Sequence, residues 1–213
     1  MTIHAYPEMH VSKAQTSLGD AFDYAINTCG IPGGDFLHMF AVSPTGRRLE
    51  RGEYACLLGK SGIELAREIL SETLGRDVCT PPEDRMTRSE EYWIGWALCY
   101  YQWRSGRKYM EILQAITFDE LKKMYLTLHE ADVTKFADAL DRRMQACYPE
   151  TNLKRFRTIC GCTQAELAER SGVSLRSIQM YEQRQKDINR ASAETVLRLA
   201  VTLHCSMEDL VER

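Results

Sequence analysis

Residues 164–183 read Gln-Ala-Glu-Leu-Ala-Glu-Arg-Ser-Gly-Val-Ser-Leu-Arg-Ser-Ile-Gln-Met-Tyr-Glu-Gln, and this stretch decides the architecture of the C-terminal third. Two short helices that cross steeply at a tight turn need three things: a small residue where they nearly touch, a glycine where the turn demands positive φ, and apolar plugs on both inner faces. Ala168 is the small residue, Gly172 stands four positions later for the turn, and Ile178 is the plug six beyond it. Leu167, Val173 and Tyr181 supply the other inward positions. Thr163, followed three residues later by Glu166, is a capping box that starts the first helix, and Ser174 caps the second.

Through Ala168, Gly172, Ile178 and these caps the chain resembles the Cro/repressor-type helix-turn-helix family, also called xenobiotic-response-element (XRE) type regulators, over about residues 152–211. The resemblance implies a five-helix, lambda-repressor-like DNA-binding domain. Its helices would be Asn152 to Ile159, Gln164 to Ser171, a recognition helix Leu175 to Gln183, Ala193 to Leu203 and Met207 to Val211, with a loop at Lys186-Asp187-Ile188-Asn189. It further implies that Gln164 binds a backbone phosphate at a helix N-terminus, where free amides and the helix dipole favour an anion. Ser174 and Ser177 match further phosphate contacts. The outward face of the recognition helix presents Leu175, Arg176, Gln179 and Met180, and the family positions of Leu175, Arg176 and Met180 reach base edges in the major groove. Arg176 can donate twice to guanine O6 and N7, whereas Leu175 makes only apolar contact, best with a thymine methyl. Met180 departs from the polar residue common at its position. Arg184, Lys186, Asn189 and Arg190 are expected on the DNA backbone, and Arg157 with Glu182 matches a structural ion pair.

Charge distribution agrees in sign. Residues 1–150 hold 17 Lys and Arg against 22 Asp and Glu, whereas residues 151–190 hold 8 against 4, the balance expected where a segment approaches phosphates. At 213 residues the chain is long for one domain, and Tyr148-Pro149-Glu150 is the best boundary, giving domains at 1–148 and 151–213. A hydrophobic content of 44% excludes a mostly disordered or collagen-like chain. No run approaches the roughly 18 apolar residues of a membrane span, and Met1 to His10 lacks an export-signal layout, so a cytoplasmic protein with reduced thiols is expected.

The first domain reads as helical throughout, which makes the fold class all-α. Val11 to Cys29 places Leu18, Phe22, Ala25, Ile26 and Cys29 on one helical face before Gly30-Ile31-Pro32-Gly33-Gly34 ends it. Asp35 to Val42 is a short apolar segment before a turn at Ser43-Pro44-Thr45-Gly46, and Ser61 to Leu74 is again amphipathic. Thr80-Pro81-Pro82-Glu83-Asp84 reads as a surface loop. A helix from Ser89 to Gly106 carries Tyr92, Trp93, Trp96, Tyr100, Tyr101 and Trp103, better suited to the hub of a core than to a ligand cage. Helices at about 109–115, 118–128 and 134–146 follow.

No catalytic constellation stands out. Glycine-rich phosphate loops, GxSxG and HExxH are absent from the sequence, the five histidines are scattered, and Cys160 and Cys162 form the only tight cysteine pair, with no second pair to close a zinc site. No enzyme activity, metal or cofactor is therefore expected. His129-Glu130-Ala131-Asp132 reads as caps and a surface turn. As a whole, the N-terminal part resembles helical domains that precede this motif in bacterial regulators and in antitoxins encoded beside small toxins. It could sense a small-molecule effector, hold a dimer, or bind a protein partner such as a toxin. The expected function is a sequence-specific transcriptional regulator, a repressor acting as a homodimer on double-stranded DNA; the alternative is an antitoxin that also autoregulates its operon. Val196, Leu199, Val201 and Leu203 cannot all face one core, so the helix from Ala193 or the N-terminal domain is expected to supply the dimer contact.

Overall fold

The computed structural model describes residues 4–77, 80–82, 87–148 and 150–212. Among them every regular element is helical, so the fold is all-α. The chain divides into two compact units, Met1–Cys147 and Tyr148–Arg213. Glu83, Asp84 and Pro149, on which the loop and boundary readings partly rest, lie outside the described residues.

The first unit is organised by α1 (Val11–Asp23). Of the face that the spacing predicts, Leu18, Phe22 and Ala25 are fully buried while Ile26 and Cys29 are half-buried, and a π-helical turn at Tyr24–Thr28 continues the helix towards Gly30. Next come α2 (Gly33–Val42), α3 (Pro44–Glu50), α4 (Tyr54–Leu57) and α5 (Gly62–Leu74). Ser43-Pro44 is not the turn that its composition suggests. Ser43 accepts the Gly46 amide as the N-cap of α3, and Pro44 takes the first helical position, where a missing amide hydrogen costs nothing. The short α4 carries too few residues to show a period.

The aromatic helix α6 (Glu90–Ser105) packs along α1, which also packs on α5. Close approach is possible because the crossings lack side chains: a Cβ at Gly95 would lie 2.6 Å from the Leu18 carbonyl oxygen, and one at Gly62 would lie 2.5 Å from that of Ser17. Tyr92, Tyr101 and Trp103 of α6 are buried, and their polar ends are partly served: Tyr101 donates to Asp141 at 2.8 Å and the Trp103 indole donates to the Tyr6 carbonyl at 2.8 Å. Trp93 meets Tyr125 and Phe136 edge to face. This is the packing role the sequence predicted. The unit closes with α7 (Tyr109–Ala115), α8 (Phe118–Leu128) and α9 (Val133–Cys147). His129 ends α8, and Asp132 accepts from the amide and hydroxyl of Thr134, so the polar cluster there is the cap and turn it was read as.

The second unit comprises α10 (Asn152–Ile159), α11 (Gln164–Ser171), α12 (Leu175–Glu182), α13 (Ala193–Thr202) and α14 (Met207–Leu210), with one 3-10 turn at Ile188–Arg190 inside the expected loop. The last three helices stop one residue short of their expected ends. Leu153, Leu167, Ile178, Tyr181, Leu199 and Leu210 form the core, joined by Val196 and Leu203. Val201, by contrast, is 65% exposed and Leu197 on the same face is 51% exposed.

Candidate functional site

Gly172 is the geometric centre of the candidate site. With φ at +67° it takes the left-handed conformation that ends α11, and its amide returns to the Ala168 carbonyl at 2.9 Å. Ser174 then caps α12 by accepting the Ser177 amide, and Thr163 with Glu166 forms the expected capping box on α11. The Thr163 amide and hydroxyl, both donating to Glu166, hold that carboxyl below the usual carboxylate range. Leu167 and Ile178 are fully buried and Val173 and Tyr181 nearly so, which fixes the rotation of both helices about their axes.

Rotation decides what α12 offers to the outside. Leu175 and Arg176 are exposed, Gln179 and Met180 are half-buried, and Ser177 is half-buried beside the Ser174 hydroxyl at 2.9 Å. Arg176 has neither a hydrogen bond nor an ion pair among the described residues. A guanidinium with five donors and no partner stays fully available to a ligand.

At the other end of α12, Glu182 clamps the motif to α10. Its carboxylate, 3% exposed, accepts from Arg157 Nε at 2.6 Å and Nη2 at 3.0 Å, a two-point contact of the kind the resemblance implied. That hydrogen bonding pushes the already high pKa of Arg157 further up. Gln164 completes the cluster by donating its side-chain amide to Glu182 at 2.7 Å. The family resemblance implies a phosphate contact for Gln164, and its link to Glu182 has no local signal because the two residues are eighteen positions apart.

The loop after α12 splits the remaining candidates. Arg184 takes a positive φ of 55° and reaches Glu212 at 3.5 Å. Lys186 stands over the Tyr181 ring, 5.1 Å from its centroid. Arg190 is highly exposed and only loosely paired with Asp187 at 3.5 Å. Asn189 accepts the Glu212 amide at 2.9 Å and donates to the Glu212 carbonyl, so its carboxamide ties the loop to the C-terminal end. Ser174, Arg176 and Ser177 thus lie at the start of α12 and Arg184, Lys186 and Arg190 in the segment that follows it, whereas Gln164, Arg184 and Asn189 spend side-chain groups on internal bonds.

Among the described residues no group of three or more His, Cys, Asp or Glu could hold a metal ion, and no helix is long and apolar enough to cross a membrane. Residues 153–210 match the protein-family model described as helix-turn-helix. The chain has no match among curated proteins or solved structures. The C-terminal unit thus carries an XRE-type helix-turn-helix domain, the DNA-binding module of transcriptional regulators.

Proposed function

We propose, from this helix-turn-helix domain, that the protein is a sequence-specific transcriptional repressor of its own operon that inserts α12 into the major groove of duplex DNA. The observation that carries the reading is the unpartnered Arg176 beside exposed Leu175, on a helix whose opposite face is locked in the core by Ile178 and Tyr181. In this reading Arg176 pairs with guanine, Leu175 meets a thymine methyl, and Gln179 and Met180 flank them. Ser174 and Ser177, with Arg184, Lys186 and Arg190, face the phosphate backbone and set the register, while Gln164 and Asn189 support them from their internal bonds to Glu182 and Glu212.

One recognition helix covers only a few base pairs, so the reading includes a two-fold homodimer on two half-sites. The outward Leu197 and Val201, one turn apart on α13, supply apolar surface for that pairing. Selection from a random duplex pool at low salt tests the proposal. The expected product is an inverted repeat with half-sites about one helical turn apart and affinity that falls steeply with salt. Failure to enrich any sequence overturns DNA recognition, and a site without inverted repeat overturns the dimer.

An antitoxin reading is favoured by one feature of the N-terminal unit: Met9 is 82% and Tyr54 61% exposed, the His10 ring touches that of Tyr54, and Leu58 is exposed one turn further along. Exposed apolar side chains of this size suit a protein partner. Neutralisation of the product of an adjacent gene by the full chain tests it, and growth inhibition that persists in its presence refutes it.

A further inference from the structure

The turn at Gly172, the start of α12 and the first turns of α13 border a half-open cavity of about 250 Å³. Its lining includes Ser174, Ser177, Lys186, Thr195 and Arg198. The Arg198 guanidinium reaches the helix-turn-helix corner, since a Cβ at Gly172 would lie 3.5 Å from its Nη1. The hydroxyls pair with one another, Ser174 with Ser177 and Thr195 with Ser192, each at 2.9 Å. Hydroxyls bonded this way can rotate to donate to a new acceptor. One carboxylate also lines the cavity: Glu194, which holds Arg198 at 2.5 Å.

Size and chemistry together select the ligand class. Sites for drug-sized molecules have mostly apolar walls, so this polar lining does not suit such an effector. A single tetrahedral oxyanion with bridging waters, at about 30 Å³ per water, fits the space. Two cations, set against one carboxylate, with three hydroxyl donors match a phosphate group. We infer that the cavity seats one backbone phosphate of the DNA duplex, which adds Thr195 and Arg198 to the DNA-facing set. The inference rests on the DNA-binding reading. It assigns the phosphate to the duplex because Ser174, which lines the cavity, caps the end of α12 that the DNA-binding reading places in the groove, next to the backbone along the groove rim. Glu194 then acts as a competitor that occupies Arg198 until the phosphate arrives.

Binding of the full chain to its selected operator, measured across salt concentrations, tests the assignment with Arg198→Ala and Glu194→Gln. Both side chains are mostly exposed, and far-UV melts verify that the variants remain folded. Loss of one phosphate contact lowers the log–log salt slope of Arg198→Ala by about 0.9, so its deficit against wild type shrinks about 3.5-fold between about 50 and about 200 mM salt. Base preference stays that of wild type. Glu194→Gln binds severalfold more tightly at low salt, a gain that misfolding cannot produce. A wild-type slope in Arg198→Ala together with wild-type affinity in Glu194→Gln overturns the inference while leaving DNA recognition intact. Inorganic phosphate titrated into the free protein, read at the Gly172 and Ser177 amides by NMR, separates the sources: saturation there with an unchanged DNA slope gives the site to free phosphate and overturns the duplex assignment. A wild-type protein that selects no operator overturns the inference together with the reading beneath it.

Discussion

Replacing Glu182 by alanine tests whether the helix-turn-helix is held in shape by one buried carboxylate. In the native unit Glu182 receives three hydrogen bonds, two from Arg157 and one from Gln164, and the ion-pair side chains are 3% and 13% exposed. Alanine removes all three at once. Arg157 keeps only its bond to the Cys162 carbonyl at 2.7 Å, so a nearly dry guanidinium loses its counter-charge. Breaking one partner of a buried pair costs about 3–5 kcal/mol because an uncompensated charge remains. At the usual 0.05–0.15 kcal/mol per residue the whole Tyr148–Arg213 unit is worth about 3–10 kcal/mol, so the variant should lose from about a third to all of its stability. The protein offers a built-in control. All three tryptophans, 93, 96 and 103, lie in the first unit, so tryptophan fluorescence reports that unit while far-UV circular dichroism reports both. Denaturant titration of Glu182→Ala should show lost helix signal at low denaturant with an unmoved fluorescence midpoint, together with lost DNA binding. The double replacement Arg157→Met, Glu182→Leu removes both charges and should recover most of the stability, since apolar substitutes for a buried pair are often neutral. A Glu182→Ala unit that unfolds within about 0.5 kcal/mol of wild type would refute the reasoning and reduce the pair to an ordinary surface contact.

Arg176→Ala should leave stability within about 0.5 kcal/mol while weakening operator binding by about 1–3 kcal/mol and relaxing preference at one base pair, whereas Ile178→Ala, at a fully buried site, should destabilise the unit by about 2–5 kcal/mol; melts and binding to matched and single-substituted operators, side by side, decide between them. Gly95→Ala drives a methyl against the Leu18 carbonyl oxygen and the Phe22 ring, so the first unit should lose about 1–3 kcal/mol or more, read from the fluorescence midpoint; an unchanged midpoint would mean that α1 and α6 are not in close contact. Glu120 is held down to about 2 by Arg143 and the Thr117 cap, so its contribution is present above the unfolded carboxyl pKa near 4.5 and is lost as pH falls towards 2; Glu120→Gln should show a flatter stability profile across that window, and an identical profile would refute the coupling.

Local chemistry wrote much of this molecule into its sequence. Capping boxes act over three residues and a left-handed turn over one, so Thr163, Glu166, Gly172 and Ser174 announce α11 and α12 wherever the rest of the chain goes. The periodic burial of Leu18, Phe22, Leu167 and Ile178 follows from the same 3.6-residue repeat, because a helix has one face and apolar side chains claim it. Residues whose role depends on a distant neighbour were not legible. Ser43-Pro44 is a different case, since its composition suits a turn and a helix start alike, and the structure uses it as the local start, with Ser43 at the N-cap and Pro44 at the first helical position. Gln164 and Asn189 look free in sequence, yet Glu182 and Glu212 engage them, since hydrogen-bond partners eighteen and twenty-three positions away leave no local pattern. Of the apolar residues on α13, the sequence established that some must face outward. Tertiary packing chose Val196, Leu199 and Leu203 for the core and left Leu197 and Val201 to the solvent. It also brought Arg198 beside Gly172, twenty-six residues earlier in the chain, because a cavity is made by surfaces that meet and no single segment encodes both walls.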